Sequence, residues 1–129
     1  MVEESYVSFE TARLLKEKGF AGECDWYYPK DGWEIEQLDL YELNYCRESF
    51  IEAPSLALVM RWLREVRGIL LWMYPVIPLS VPQNKKEFNW EWDGKKQLHS
   101  AIHFGDKQKY KSYEEAAEAA IKYCLENLI

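Results

Sequence analysis

The chain has few of the residues on which metal, disulfide and phosphate sites depend: two histidines, three cysteines and six glycines among 129 residues. Cys24, Cys46 and Cys124 are odd in number, far apart and without a CxxC pair. This pattern favours small buried thiols over disulfides or a zinc site. The glycines form neither a GxGxxG nor a Walker pattern, so no phosphate-binding loop is predicted.

The two histidines, His99 and His103, are four residues apart. On a helix they would share a face, but on the strand predicted here they lie about 13 Å apart, at about 3.3 Å per residue. No Gly-x-Ser-x-Gly elbow occurs, and nothing distinguishes one of the many carboxylates between residues 34 and 52 as a catalytic acid. We therefore expect no metal, no cofactor and no enzymatic activity.

A membrane-spanning run is also missing. The most apolar stretch, residues 69–81, contains Pro75 and Pro78 and is shorter than the roughly 20 residues that a spanning helix needs. The first residues have neither the basic start nor the apolar region of a signal peptide, so we expect a cytoplasmic protein. With 48% hydrophobic and 29% charged residues, the composition predicts one globular domain over residues 1–129.

Three helices are predicted from their caps and apolar stripes. The first spans residues 9–18, between an N-cap at Ser8 and Gly19. The second has Pro54 in its first turn and ends at Gly68, and the third starts at a capping box of Ser112 and Glu115. The predicted apolar stripe of the second helix consists of Leu56, Val59, Met60, Leu63 and Val66.

The strands are predicted from alternation and turn residues. A short strand at 26–28 precedes a turn at Asp31-Gly32. Residues 38–46 show both an alternation typical of a strand and a loose helical spacing, and of the two we favour a second strand that pairs with the first. Residues 69–74 are apolar at nearly every position, which predicts a central strand covered on both faces. A hairpin follows, with Trp90 and Trp92 before a tight turn at Asp93-Gly94 and a return strand at 97–104. The predicted fold is α+β, a mainly antiparallel sheet of four to five strands packed with three helices.

The clearest departure from ordinary composition is the aromatic content, with six Trp, nine Tyr and five Phe. Exposed rings bind partner proteins, and the group Trp26, Tyr27, Tyr28 and Trp33 is the first candidate for an interaction surface. We therefore expect a non-catalytic protein-interaction protein that binds itself or a foreign factor.

Single-stranded nucleic-acid binding is the alternative function. Lysines beside rings on a sheet can bind phosphates and stack bases. The net charge of −6 disfavours general attraction to phosphates, but residues 55–129 alone carry +2. The candidate residues are Lys85, Lys86, Trp90, Trp92, Lys95 and Lys96.

Three segments carry a resemblance to a known family. They are Tyr-Val-Ser-Phe-Glu-Thr-Ala-Arg-Leu-Leu-Lys-Glu-Lys-Gly-Phe near the start, Ala-Pro-Ser-Leu through Arg-Trp-Leu-Arg-Glu-Val-Arg-Gly-Ile to Tyr-Pro in the middle, and Tyr-Glu-Glu-Ala with Ala-Ile-Lys-Tyr-Cys-Leu near the end. Together they resemble a family of short uncharacterised proteins from phages and mobile elements of gut Bacteroidales. The resemblance covers about half the chain and all three predicted helices. It implies an accessory protein that binds host or phage components, and it assigns no residue a role.

Overall fold

The computed structural model describes residues 4–20, 26–29, 36–37, 50–77, 89–96 and 102–129. Within these ranges, three helices and six strands form an α+β fold in which all strand pairs are antiparallel, as predicted. The strands belong to two three-stranded sheets, where one sheet was expected. In chain order the elements are α1 (Phe9–Glu17), β1 (Trp26–Pro29), β2 (Glu36–Gln37), β3 (Phe50–Glu52), α2 (Leu56–Val66), β4 (Ile69–Val76), β5 (Asn89–Lys96), β6 (Ile102–Phe104) and α3 (Tyr113–Asn127).

Each helix begins at a serine whose side-chain oxygen accepts a backbone N–H of the first turn, which otherwise has no partner within the helix. The three N-cap residues are Ser8, Ser55 and Ser112, so Pro54 precedes the N-cap of α2 and does not lie in the first helical turn as predicted. Gly19 (φ +85°) and Gly68 (φ +67°) follow the first two helices in the left-handed conformation that ends a helix. Local sequence alone therefore determines where the helices start and stop.

The first sheet has the strand order β2-β1-β3. The predicted strand at 26–28 is present as β1, and it pairs with β2 through Trp26 opposite Gln37. The predicted turn at Asp31-Gly32 and the strand at 38–46 lie outside the described residues. Strand β3 was not predicted, since its three residues are too few to show a period.

The second sheet has the strand order β4-β5-β6, which places β4 at an edge among the described strands and not in the centre as predicted. The prediction that both faces of β4 are covered is also wrong. On the face away from the core, Leu70 is 39% exposed and Trp72 is 36% exposed. The apolar run therefore has two different causes. Ile69 lies in the core, whereas Leu70 and Trp72 leave apolar surface open to solvent.

Asp93 and Gly94 lie inside β5 and not at a turn, so this part of the hairpin prediction is wrong. Gly94 pairs with Phe104 of β6, and a Cβ at Gly94 would lie 2.4 Å from two carbons of the Phe104 ring. The glycine is needed for this close approach and not for a turn conformation. Strand β6 covers the last part of the predicted return strand, of which 97–101 lie outside the described residues.

The hydrophobic core joins all three helices to both sheets. Helix α3 contacts α1, α2 and the strands β4 and β5. Val66, predicted to belong to the apolar stripe of α2, is 63% exposed because it lies in the last turn, beyond the contact with the core. The fully buried members of the core are Val7, Val59, Leu63, Ile69, Ala117, Ile121, Cys124 and Leu125.

A polar contact connects the start of α1 to the outer side of α3. The Glu118 carboxylate accepts the Ser8 backbone N–H (3.0 Å) and the Ser8 hydroxyl (2.5 Å). One turn further along α3, the Lys122 ammonium group lies 3.0 Å from the Glu10 carboxylate. In the part of the chain that the structure describes, no helix has the length and apolarity to cross a bilayer.

Candidate interaction surface

The first aromatic group contributes mainly to the core. Tyr27 is only 6% exposed, so it is unavailable to a partner, contrary to the prediction. Trp26 is half-buried with its ring 5.6 Å from that of Tyr6. The Tyr28 hydroxyl donates to the backbone carbonyl of Val7 at 2.7 Å. These contacts hold β1 against the N-terminal segment, and Trp33 lies outside the described residues.

The proposed nucleic-acid surface loses its central ring. Trp92 is 1% exposed, and its ring lies 5.9 Å from Phe104 and 5.4 Å from Tyr123. It cannot stack on a base, contrary to the prediction, because it lies on the face of β5 that α3 covers. Trp90, on the same face, is half-buried and meets the Tyr113 ring edge-on at 5.6 Å.

The two described lysines of that surface, Lys95 and Lys96, belong to opposite faces of the sheet. The Lys96 ammonium group donates to the backbone carbonyl of Leu128 at 3.1 Å, which turns it toward the end of α3. Lys95 pairs with Leu70 and so belongs to the opposite, solvent-facing side of the sheet. Lys85 and Lys86 lie outside the described residues.

A different apolar surface is present around β4. Five large hydrophobic side chains are exposed in the described part of the chain, and four of them belong to residues 66–77. We call the two on the solvent-facing side of the strand, Leu70 and Trp72, the β4 surface, whereas Val66 and Ile77 lie before and after the strand. The sequence contained a signal for it, since an uninterrupted apolar run on an edge strand necessarily exposes alternate residues. The prediction of a central strand missed this surface, because a central strand was expected to be covered on both faces.

The outer edge of β4 pairs with no described strand, and the backbone pattern shows which groups it offers. Trp90 exchanges both backbone hydrogen bonds with Tyr110, at 2.7 and 2.8 Å, on the side away from β4. Its partner in β4, Pro75, therefore belongs to a pair without hydrogen bonds and directs its backbone outward. By alternation along the regular register, Leu71 and Met73 do the same. Both are half-buried, which leaves two N–H donors and two carbonyl acceptors at the middle of this edge.

Charged residues of β5 border the solvent-facing row of β4. Lys95 lies opposite Leu70, Asp93 opposite Trp72, and Glu91 opposite Tyr74. The Tyr74 hydroxyl donates to Glu91 at 2.9 Å. Partial burial, and next this hydrogen bond, raise the pKa of Tyr74 to about 12, so the tyrosine remains a neutral donor at physiological pH. The row is thus basic at the N-terminal end of β4 and acidic at the C-terminal end.

His103 is exposed beside this row, with its ring 6.4 Å from Trp72 in an edge-on contact. His99 lies outside the described residues. Within the described ranges, no three His, Cys, Asp or Glu side chains come close enough to bind one metal ion. The described geometry therefore makes His103 a neighbour of Trp72.

The other titratable groups with raised pKa values are not poised for proton transfer. Burial raises the pKa of the Cys124 thiol to about 12, so it stays protonated and is a poor nucleophile. Burial, and next a hydrogen bond to Asp106, raise the pKa of Tyr110 to about 12.

A cavity of about 200 Å³ lies between α1 and the first sheet. The charged residues that line it are Lys16 and Glu52. Of these features, only the β4 surface combines exposed apolar side chains with unpaired backbone groups.

The chain matches no known family model, no curated protein and no solved structure. The candidate site therefore depends on the geometry of this chain alone.

Proposed function

We propose that this protein is a non-catalytic accessory protein of a phage or mobile element that acts in the cytoplasm by binding protein through the β4 surface. The observation that carries the proposal is the coincidence of the β4 surface with an outer edge of β4 that pairs with no described strand. An extended segment from another protein can add to such an edge, where backbone hydrogen bonds supply affinity and alternate side chains supply specificity. The resemblance of the three helical segments to mobile-element proteins supports the accessory role.

Trp72 is the anchor that this proposal requires. It lies near the middle of β4 and presents a large ring at 36% exposure. Aromatic side chains at the centre of an interface contribute most of the binding free energy because they bury the most apolar area at low entropic cost. Lys95 and Glu91 flank the row and would select the orientation of a bound segment.

The test is affinity capture of cytoplasmic proteins by the purified chain, quantified by mass spectrometry. Trp72→Lys places a charge on the surface, and Tyr113→Lys is the matched control, since Tyr113 is 38% exposed but lies on α3. We expect specific bound proteins, the chain itself included, to be depleted with Trp72→Lys and retained with Tyr113→Lys. Equal capture by both variants would refute binding through the β4 surface.

Single-stranded nucleic-acid binding is the second candidate, and one observation favours it. The exposed Trp72 ring shares one face of the sheet with Lys95, the pair partner of Leu70, and with the His103 imidazole. Asp93 and Glu91 on the same face oppose phosphate binding. Fluorescence anisotropy with a labelled oligonucleotide tests it. Binding that weakens with salt and with Trp72→Lys would support this candidate, and no binding at micromolar protein would exclude it.

A further inference from the structure

We propose that the occupant of the β4 surface is a second copy of this chain, joined antiparallel through the outer edge of β4 with Trp72 facing Trp72 across a two-fold axis. This inference rests on the proposed function and names the partner. The β4-β5-β6 sheets of the two copies would then join into one six-stranded antiparallel sheet. Two features of the edge support it: its hydrogen-bonding groups and its exposed side chains are each self-complementary in the same register, and its charges are compatible with that register.

The first feature is the match between the backbone hydrogen-bonding groups of the two β4 edges. With Trp72 on the axis, Leu71 of one copy lies opposite Met73 of the other, and both direct their backbone outward. The four N–H and carbonyl groups of each copy then pair completely. Pro75 would lie opposite Ile69, and it needs no partner for an N–H that proline lacks. Ile69 is fully buried and so is not available to pair.

Registers displaced by one residue leave more of the backbone N–H and carbonyl groups of this edge without a partner. Placing Leu71 on the axis would require Ile69 to pair with Met73, but Ile69 is fully buried. Placing Met73 on the axis would set Leu71 opposite Pro75, whose missing N–H leaves the Leu71 carbonyl without a donor. The composition of the strand therefore selects the register centred on Trp72.

The side chains on the solvent face match in the same register. The two Trp72 rings meet in a pair without hydrogen bonds, where opposite side chains approach most closely. Leu70 of each copy lies opposite Tyr74 of the other, so apolar groups that are exposed in one chain cover each other. Antiparallel pairing also brings the end of α2, with Val66, toward the end of β4 of the other copy, which Ile77 follows.

The charges of the two outer rows are arranged in the complementary sense, whereas the central row has Asp93 beside Trp72 at both ends. Lys95 lies beside Leu70, and Glu91 lies beside Tyr74. Because Leu70 of one copy faces Tyr74 of the other, each outer row across the interface has a lysine at one end and a glutamate at the other. The lysine and the glutamate of one row are three strand spacings apart, about 14 Å. At this distance the charge pattern is compatible with the antiparallel dimer and contributes little to its stability.

Light scattering after size exclusion measures the mass over a range of protein concentrations. We expect the wild-type chain and Tyr113→Lys to form dimers, whereas Trp72→Lys dissociates at least about 30-fold more readily, as expected for loss of a central aromatic anchor. Two lysines at position 72 would also face each other across the axis. A wild-type chain that is monomeric at hundreds of micromolar, or a dimer insensitive to Trp72→Lys, overturns the inference.

Cysteine cross-linking tests the register without removing Trp72. In a background with Cys24→Ser and Cys46→Ser, the double variant Leu70→Cys with Tyr74→Cys should form a disulfide-linked dimer, because opposite residues lie within disulfide range. Within one chain these positions are about 13 Å apart and cannot bridge. Either single variant should remain unlinked. Cross-linking of a single variant, or none of the double variant, contradicts this register.

The two proposals fail in different ways. A monomeric wild-type chain that still captures another protein through Trp72 would refute the dimer and leave the interaction role intact. If neither self-association nor capture of another protein depends on Trp72, both proposals fall.

Discussion

Replacing Gly94 by alanine tests whether Gly94 lies within a strand or at a turn. A Cβ at this position would lie 2.4 Å from the Phe104 Cε2 and Cζ atoms and 2.9 Å from Leu71 Cδ2. The Phe104 ring cannot withdraw freely, because it stacks on Tyr123 at 5.7 Å and meets Trp92 at 5.9 Å. We expect Gly94→Ala to lower the free energy of unfolding by about 1–3 kcal/mol, the usual cost of inserting a methyl group into a packed site.

The mechanism is tested by a double-mutant cycle with Phe104→Leu, which shortens the side chain that the new methyl group would strike. If the glycine serves close packing, Gly94→Ala should cost at least about 1 kcal/mol less in the Phe104→Leu background than in the wild type. A turn glycine would instead cost the same in both backgrounds, because its penalty comes from its own backbone conformation.

Urea denaturation followed by tryptophan fluorescence measures all four proteins of the cycle. Trp92, one of the six tryptophans that contribute to the emission, lies beside both altered positions. Additivity of the two substitutions within about 0.5 kcal/mol would refute the packing explanation. A cost of Gly94→Ala below about 0.5 kcal/mol would refute the close contact itself.

Three further predictions concern the helices and the core. Leu63→Asp should unfold the protein, since a charge enters a fully buried position at a cost of several kcal/mol. Val66→Asp, on the exposed side of the same helix, should change the melting temperature little. Equal effects of the two substitutions would show that the buried face of α2 is assigned wrongly. Ser55→Ala should cost about 1 kcal/mol in denaturant titrations, because the Leu58 N–H loses its 3.1 Å acceptor. Cys124 keeps its proton when folded (pKa about 12) but ionises near pH 9 when unfolded, so stability should fall between those values as pH rises. Between pH 8 and 10, the wild type should lose about 1 kcal/mol more than Cys124→Ala, and equal losses would contradict the burial of this thiol.

The helices were predictable because their signals are local. An N-cap serine, an apolar stripe and a terminal glycine act within one or two turns, so Ser8 and Ser112 were identified as starts without knowing the fold, and the start of α2 was predicted to within about two residues of Ser55. The α+β class followed from the order of helical and alternating segments. The short strands β2 and β3 carried no such signal, since two or three residues show no period.

The place of a strand within its sheet was not predictable in the same way. Residues 69–74 have the composition of a covered strand, yet β4 lies at an edge, because strand order depends on which distant segment pairs with which. The candidate interaction surface lies on β4 and not at the predicted aromatic groups, again because burial depends on contacts between distant segments. Trp92 and Trp72 are both tryptophans in apolar strands, but α3 packs on the face that carries Trp92 and leaves Trp72 exposed.

By itself, the sequence determined the helices, the antiparallel α+β class and the amount of apolar surface to be distributed. Only the tertiary structure decided which of that surface is buried, that Gly94 accommodates a ring and that the unpaired edge coincides with Trp72. The physical reason is range: caps and periods depend on neighbours along the chain, whereas burial and edge position depend on contacts between residues far apart in sequence.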